Sequence, residues 1–296
     1  MDVIIEIGTD EQKKIIEREF DFYIAIIDGL ENKPNISQIV IPENFDKFVN
    51  DIENRSDFST KQGFDGASVY ALAKVIKSEN GIIIALHSIL YTNSFDAMIR
   101  CFILFHEIGH AINEKHFPEI PNDSIVLKNY FDVLYHFYDE YSSDRFAFRV
   151  MDVIFNQPTE LWSKFIEKNT EKYFSVASND EYYSQIQEEI NLYKIHKNEQ
   201  LFVDSIMDLI YVVSETTIHG FSRLHHLGKS SNDFEIPNSI FFNASTFILL
   251  NYYKKKFEIM DRDLSDGIDV IREYMKNFGI LLEDDSDGVY FTALDI

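Results

Sequence analysis

The sequence predicts an α+β fold that is predominantly helical, with a small sheet in its first half and an all-helical C-terminal half. Three observations lead there. Val3 to Ile7 reads as a strand, and Gly81 introduces Ile82 to His87, whose β-branched density has the same meaning. Around these two runs, long stretches carry apolar residues at helical spacing. After Gln157-Pro158 the chain changes character, and one helical pattern follows another without a further strand signal. The boundary divides the sequence into two expected domains, 1–157 and 158–296.

Taken in order, a helix is expected over 10–29, a loop over 32–37, and a second helix that Pro42 starts and Asn54 ends. The polar, glycine-containing stretch 56–66 reads as a loop, and Ala67 to Lys77 is helical in pattern. The helix over 95–113 has Asn93 or Ser94 to cap it and Asp96 to suit the dipole of its first turn. A long helix spans 124–154. The second half reads as helices over 159–168, 179–196, 199–227, 238–259 and 264–277, with Glu283 to Gly288 as an exposed acidic turn.

A chain of 296 residues with 45% hydrophobic and 15% aromatic content can bury a large core. No apolar run approaches the ~20 residues that span a bilayer, and Met1 to Glu6 lacks the basic start and apolar core of a signal peptide. A cytoplasmic protein is expected. The single cysteine, Cys101, excludes an intramolecular disulfide and reads as a small buried hydrophobe. A net charge of −23 argues against nucleic-acid or anionic-membrane partners and favours neutral or basic protein substrates. Lys254-Lys255-Lys256 reads as a solvated helix face.

Residues 106–110 read His-Glu-Ile-Gly-His. Two histidines four apart on a helix differ by about 40° around it and roughly 6 Å along it, so both imidazoles can reach one zinc ion. Glu107 beside them can take a proton from a metal-bound water, which points to hydrolysis. Chance would yield the pattern only about 0.02 times in a chain of this composition.

A catalytic zinc takes a third protein ligand, and two residues compete for that place. Glu140 lies inside the long helix, four residues before Asp144, and small Ser143 and Ala147 beside them let another helix approach. Asp144 could then accept the free ring N–H of His106 and fix its orientation. The rival is His116, which needs Asn113 to break the helix in a left-handed conformation. No methionine turn follows His116, and Glu140 has the better setting. His87 and His136 read as hydrogen-bonded core or rim residues. For the donor that stabilises a tetrahedral intermediate, His219 is the first candidate, with Tyr211 and Arg223 behind it.

The pairing of His106-Glu107-Ile108-Gly109-His110 with Glu140-Tyr141-Ser142-Ser143-Asp144-Arg145-Phe146-Ala147 resembles the gluzincin zinc metallopeptidases. Over residues 60–155 it is most similar to ImmA/IrrE-type proteases, from which Ser143 departs where alanine is usual. The resemblance implies a zincin-like core in 1–157, Zn2+ on His106, His110 and Glu140, Glu107 as general base, and cleavage of a protein or peptide. The helical half would then form the far wall of the cleft. The alternatives are a metzincin-like peptidase using His116, a noncatalytic zinc-containing regulatory protein, and a hydrolase of other electrophiles. The strand before the motif offers an edge on which an extended peptide could align.

Overall fold

Four short apolar runs pair into one mixed sheet in the computed structural model. It describes residues 1–56, 61–62, 69–92, 95–114, 125–155, 164, 167, 170, 173–175, 180–229, 242–285 and 288–293. The chain forms two compact units: Met1–His116 with Phe146–Ile154, and Phe117–Arg145 with Phe155–Ile296.

In the first unit, strands β1 (Asp2–Ile5), β2 (Ile36–Ile41), β5 (Ala73–Ser78) and β6 (Gly81–Leu86) lie in the order β1-β2-β6-β5. β1, β2 and β6 run parallel and β5 closes the edge antiparallel to β6. β3 (Lys61–Gln62) and β4 (Val69–Tyr70) form a separate two-stranded ladder. Helices α1 (Asp10–Asp28), α2 (Phe45–Glu53), α3 (Ile89–Thr92) and α4 (Ala97–Glu114) complete the unit with the end of α5 (Ile125–Ile154).

Both faces of β6 are covered, because Ile82 through Leu86 are all buried. Ile83 and Ala85 join Phe45 and Val49 of α2 in one cluster, so by strand alternation Ile82, Ile84 and Leu86 face the other side. α1 and α4 meet through Tyr23 and Phe105, whose rings stand edge to face at 6.0 Å. A two-pronged ion pair from Arg100 to Glu19 ties them further, at 2.9 and 2.7 Å.

Four expectations are corrected here. The segment 36–41, read partly as loop, is the strand β2, and α2 begins at Phe45 behind an Asn44 cap instead of at Pro42. Ala67 to Lys77, rich in helix formers, holds β4 and β5. Pairing of Ala73 through Ser78 with β6 overrides local propensity. Gly81 closes this hairpin at a φ of 125°, and a Cβ there would sit 2.7 Å from the Asn35 carbonyl oxygen. β6 is consequently interior to the sheet, whose edge strands are β1 and β5.

The second unit contains residues 125–145 of α5, then α6 (Asp180–His196), α7 (Glu199–His226), α8 (Ala244–Glu258) and α9 (Ile268–Lys276). α6 packs on α7, where Tyr193 and Phe202 stack at 4.5 Å. Tyr253 of α8 donates to the Leu134 carbonyl at 2.9 Å. The expected absence of strands from this half is overturned by β7 (Ile280–Asp285) and β8 (Gly288–Ala293), an antiparallel hairpin. The acidic segment hid a strand because its charges sit at the hairpin's end, where Asp285 pairs with Gly288. Most of the expected helix 159–168, and residues 230–241, lie outside the described residues.

Candidate metal centre

The His-Glu-Ile-Gly-His segment falls within α4, which continues unbroken to Glu114. Asp96 begins the helix by accepting the Met98 amide at 2.8 Å, while Asn93 and Ser94 lie outside the described residues. Leu104, Phe105, Ile108 and Ala111 are wholly buried, and this apolar stripe sets how the helix is turned about its axis.

That orientation brings the two imidazoles together. Nε2 of His106 and Nε2 of His110 face each other at 2.9 Å, with ring planes at 88°. Two nitrogens on one tetrahedral zinc stand about 3.3 Å apart, so a small rotation opens this pair around an ion. Glu107 beside them is only 9% exposed. Phe102, one turn earlier, has its ring 5.9 Å from that of His106 and 4.9 Å from that of Phe148.

The left-handed break at Asn113 that the His116 reading needs does not occur. Asn113 stays helical and buried in α4, and the non-glycine residues with positive φ among those described are Asn54, Lys197 and Met260. His116 itself lies outside the described residues.

In the second unit, α5 presents His136, Glu140 and Asp144 at intervals of four, and α7 presents Glu215, His219 and Arg223 at the same interval. The two stripes meet rung by rung. His136 Nε2 lies 2.8 Å from Glu215 Oε1, His219 Nε2 lies 3.7 Å from Glu140 Oε2, and Arg223 donates to Asp144 Oδ2 at 2.8 Å. The outer rungs share an offset of 79 residues and the middle one matches it, so α5 and α7 run parallel and in register.

Exposure falls along the ladder. The side chains of His136 and Glu215 are 40% and 33% exposed, those of His219 and Glu140 19% and 17%, and those of Arg223 and Asp144 5% and 0%. At the buried end, Asp144 Oδ2 also accepts from Ser222 Oγ at 2.6 Å and meets His219 Nδ1 at 2.9 Å. A fully buried carboxylate tolerates its charge only with such partners. Arg223 is fixed from two further directions, by the His219 carbonyl at 2.7 Å and by the Tyr173 ring 4.3 Å away.

The consequence for His219 is directional. Asp144 engages Nδ1, leaving Nε2 turned toward Glu140. The sequence reading assigns Asp144 to His106; within the second unit the carboxylate holds His219. Of the other donors considered, Arg223 is committed to Asp144, and Tyr211 packs edge to face on His136 at 5.0 Å.

Burial works against the charged form of His136, but the Glu215 hydrogen bond and the charges of Glu140, Glu215 and Asp139 outweigh it, raising its pKa above the ordinary histidine value. His87 accepts the Ile89 amide at 3.0 Å and stacks on Phe45 at 5.1 Å, as a rim histidine does. Cys101 is buried, and burial together with the Glu19 charge pushes its thiol up to about 12, which makes it inert.

Among the described residues of the second unit, His136, Glu140 and Glu215 could together hold a metal ion, and in the first unit His106 and His110 offer a pair of metal-binding nitrogens. Imidazole nitrogens and carboxylate oxygens are donors that suit zinc. Glu215, Ser222 and Tyr173 escaped the sequence reading. Glu215 left a signal in the charge-complementary spacing of Glu215, His219 and Arg223 against His136, Glu140 and Asp144. Ser222 and Tyr173 left none.

No family model matches this chain, and neither a curated protein nor a solved structure does.

Proposed function

We propose that the protein is a zinc-dependent metallopeptidase with Zn2+ held by His106, His110 and Glu140. The observation that carries this reading is the convergence of two Nε2 atoms at 2.9 Å beside the buried Glu107. Glu140 is the third ligand in this reading because it lies within an unbroken α5, four residues before Asp144 and beside the small Ser143.

Zinc bound there would lower the pKa of a coordinated water to about 7 and polarise the scissile carbonyl. Glu107 would accept the proton of the attacking water and return it to the departing amine. His219, with Nδ1 on Asp144, would offer Nε2 as the donor for developing negative charge. β5, an edge strand of the sheet and the hairpin partner of β6, provides backbone groups on which an extended peptide can align. The substrate in this reading is a protein or peptide of neutral or basic character, given a net charge of −23. A cytoplasmic setting belongs to the same reading, since one buried cysteine suits a reducing compartment.

The test is Glu107→Gln. The variant should retain zinc while cleavage, followed as new termini in a treated proteome, falls by about 10²- to 10⁴-fold. Equal cleavage by the variant, or a His106→Ala protein that keeps its full complement of metal, would overturn the proposal.

A further inference from the structure

The top of the helix ladder differs from its foot. Asp144 and Arg223 are closed off from solvent, whereas His136 and Glu215 remain partly open. Their single hydrogen bond, Nε2 to Oε1 at 2.8 Å, joins two atoms that are both good metal donors. A Glu140 carboxylate oxygen completes the group, and the three atoms lie within 4.8 Å of one another. The imidazole is held by aromatic contacts, with Tyr211 edge to face at 5.0 Å and Phe137 at 5.8 Å, so little side-chain freedom remains to be lost on binding.

We propose that His136, Glu140 and Glu215 form a second divalent-cation site, distinct from the His106 and His110 pair and sharing only Glu140 with it. One imidazole and two carboxylates suit zinc, manganese or cobalt better than calcium or magnesium. An ion at this position would take the place of the proton shared by His136 and Glu215, whose donor atoms at 2.8 Å need spread only about 0.5 Å to reach the spacing of a tetrahedral site. Waters fill the remaining positions from the open side. The open position and partial exposure make this the weaker and exchangeable of the two ions.

The experiment is cobalt(II) titration of metal-stripped full-length protein, read by visible absorption and by calorimetry. Two binding steps per chain are expected, with His136→Gln and Glu215→Gln each abolishing the weaker step and keeping the tighter one. Because these two side chains are half exposed, both variants should fold, and circular dichroism melts establish it. A single step in the unaltered protein, or two steps that survive in both variants, would overturn the proposal. His106→Ala separates this inference from the catalytic reading: loss of the tighter step alone supports both. If His106→Ala changes neither step while His136→Gln removes one, the second site stands and the His106 centre fails.

Discussion

α5 carries two polar networks on neighbouring faces, and they are built to opposite ends. Along His136, Glu140 and Asp144, charges meet charges on α7 and grow more exposed toward one end. One step around the helix, Tyr141 and Arg145 form a closed chain in which Arg145 donates to the Tyr141 hydroxyl at 2.9 Å and that hydroxyl meets His225 Nδ1 at 2.8 Å. Arg145 lies over the Phe257 ring at 5.0 Å. Burial and polarity are common to both networks. What separates them is direction: in the first, imidazole and carboxylate atoms converge where an ion or substrate could enter, and in the second each group is consumed by its neighbour.

The sharpest way to break this comparison is Asp144→Asn. It leaves Arg223 buried without its counter-charge, and breaking such a pair should cost about 3–5 kcal/mol in chemical denaturation. A loss under about 1 kcal/mol would mean that the ladder's buried end is not held as a unit. Tyr141→Phe should cost less, about 1–3 kcal/mol, by stranding the Arg145 and His225 atoms. Its peptide cleavage should match the unaltered protein. A drop in cleavage as large as that of Glu107→Gln would assign the closed network to catalysis.

A pH series sharpens the contrast further. Burial, aided by the charges of Arg145 and Lys254, pushes His225 down to about 3. In the unfolded chain it titrates near 6.5, so between these values the unfolded state binds the additional proton. Its neutral form therefore favours folding fully above pH 6.5, and that contribution declines as pH falls toward 3. Replacing it, as in His225→Gln, should give a stability curve that falls less steeply from pH 7 to 4. Parallel curves would refute the assignment.

The smallest effect is expected at Lys256, which belongs to neither network. Contrary to the solvated face read from Lys254-Lys255-Lys256, its side chain is buried and reaches Asp261 at 2.7 Å and Asp266 at 2.9 Å. Burial opposes its charge, but the two carboxylates outweigh this and raise its pKa, while the bond from Lys256 lowers that of Asp261. The contribution persists as pH falls until Asp261 protonates below the ordinary aspartate value. Lys256→Met should lower the melting temperature slightly at pH 6, with a difference that narrows in high salt and in strong acid.

Much of the helical framework was legible because it rests on local periodicity: α1, α4, α5, α6 and α7 all appear within a few residues of their expected limits. The elements misread were those decided by partners distant in sequence. Ala73 to Ser78 holds helix formers but pairs with β6, and Ile280 to Ala293 becomes a hairpin after a long helical stretch. At the candidate site, His106 and His110 were legible from their spacing alone. For Glu215 the spacing with His219 and Arg223 was a signal, but its pairing with His136 was fixed only when α7 lay parallel to α5, because the offset between two helices is not written in either one.

By itself the sequence determined which residues can do chemistry, since His106, Glu107 and His110 share one turn of helix and local geometry alone brings them together. Tertiary structure decided what holds the second unit's donors in place and which strands border the sheet. Asp144 turns His219, Tyr211 steadies His136, and β5 takes the sheet's edge, because each depends on packing between segments that the chain separates by tens of residues.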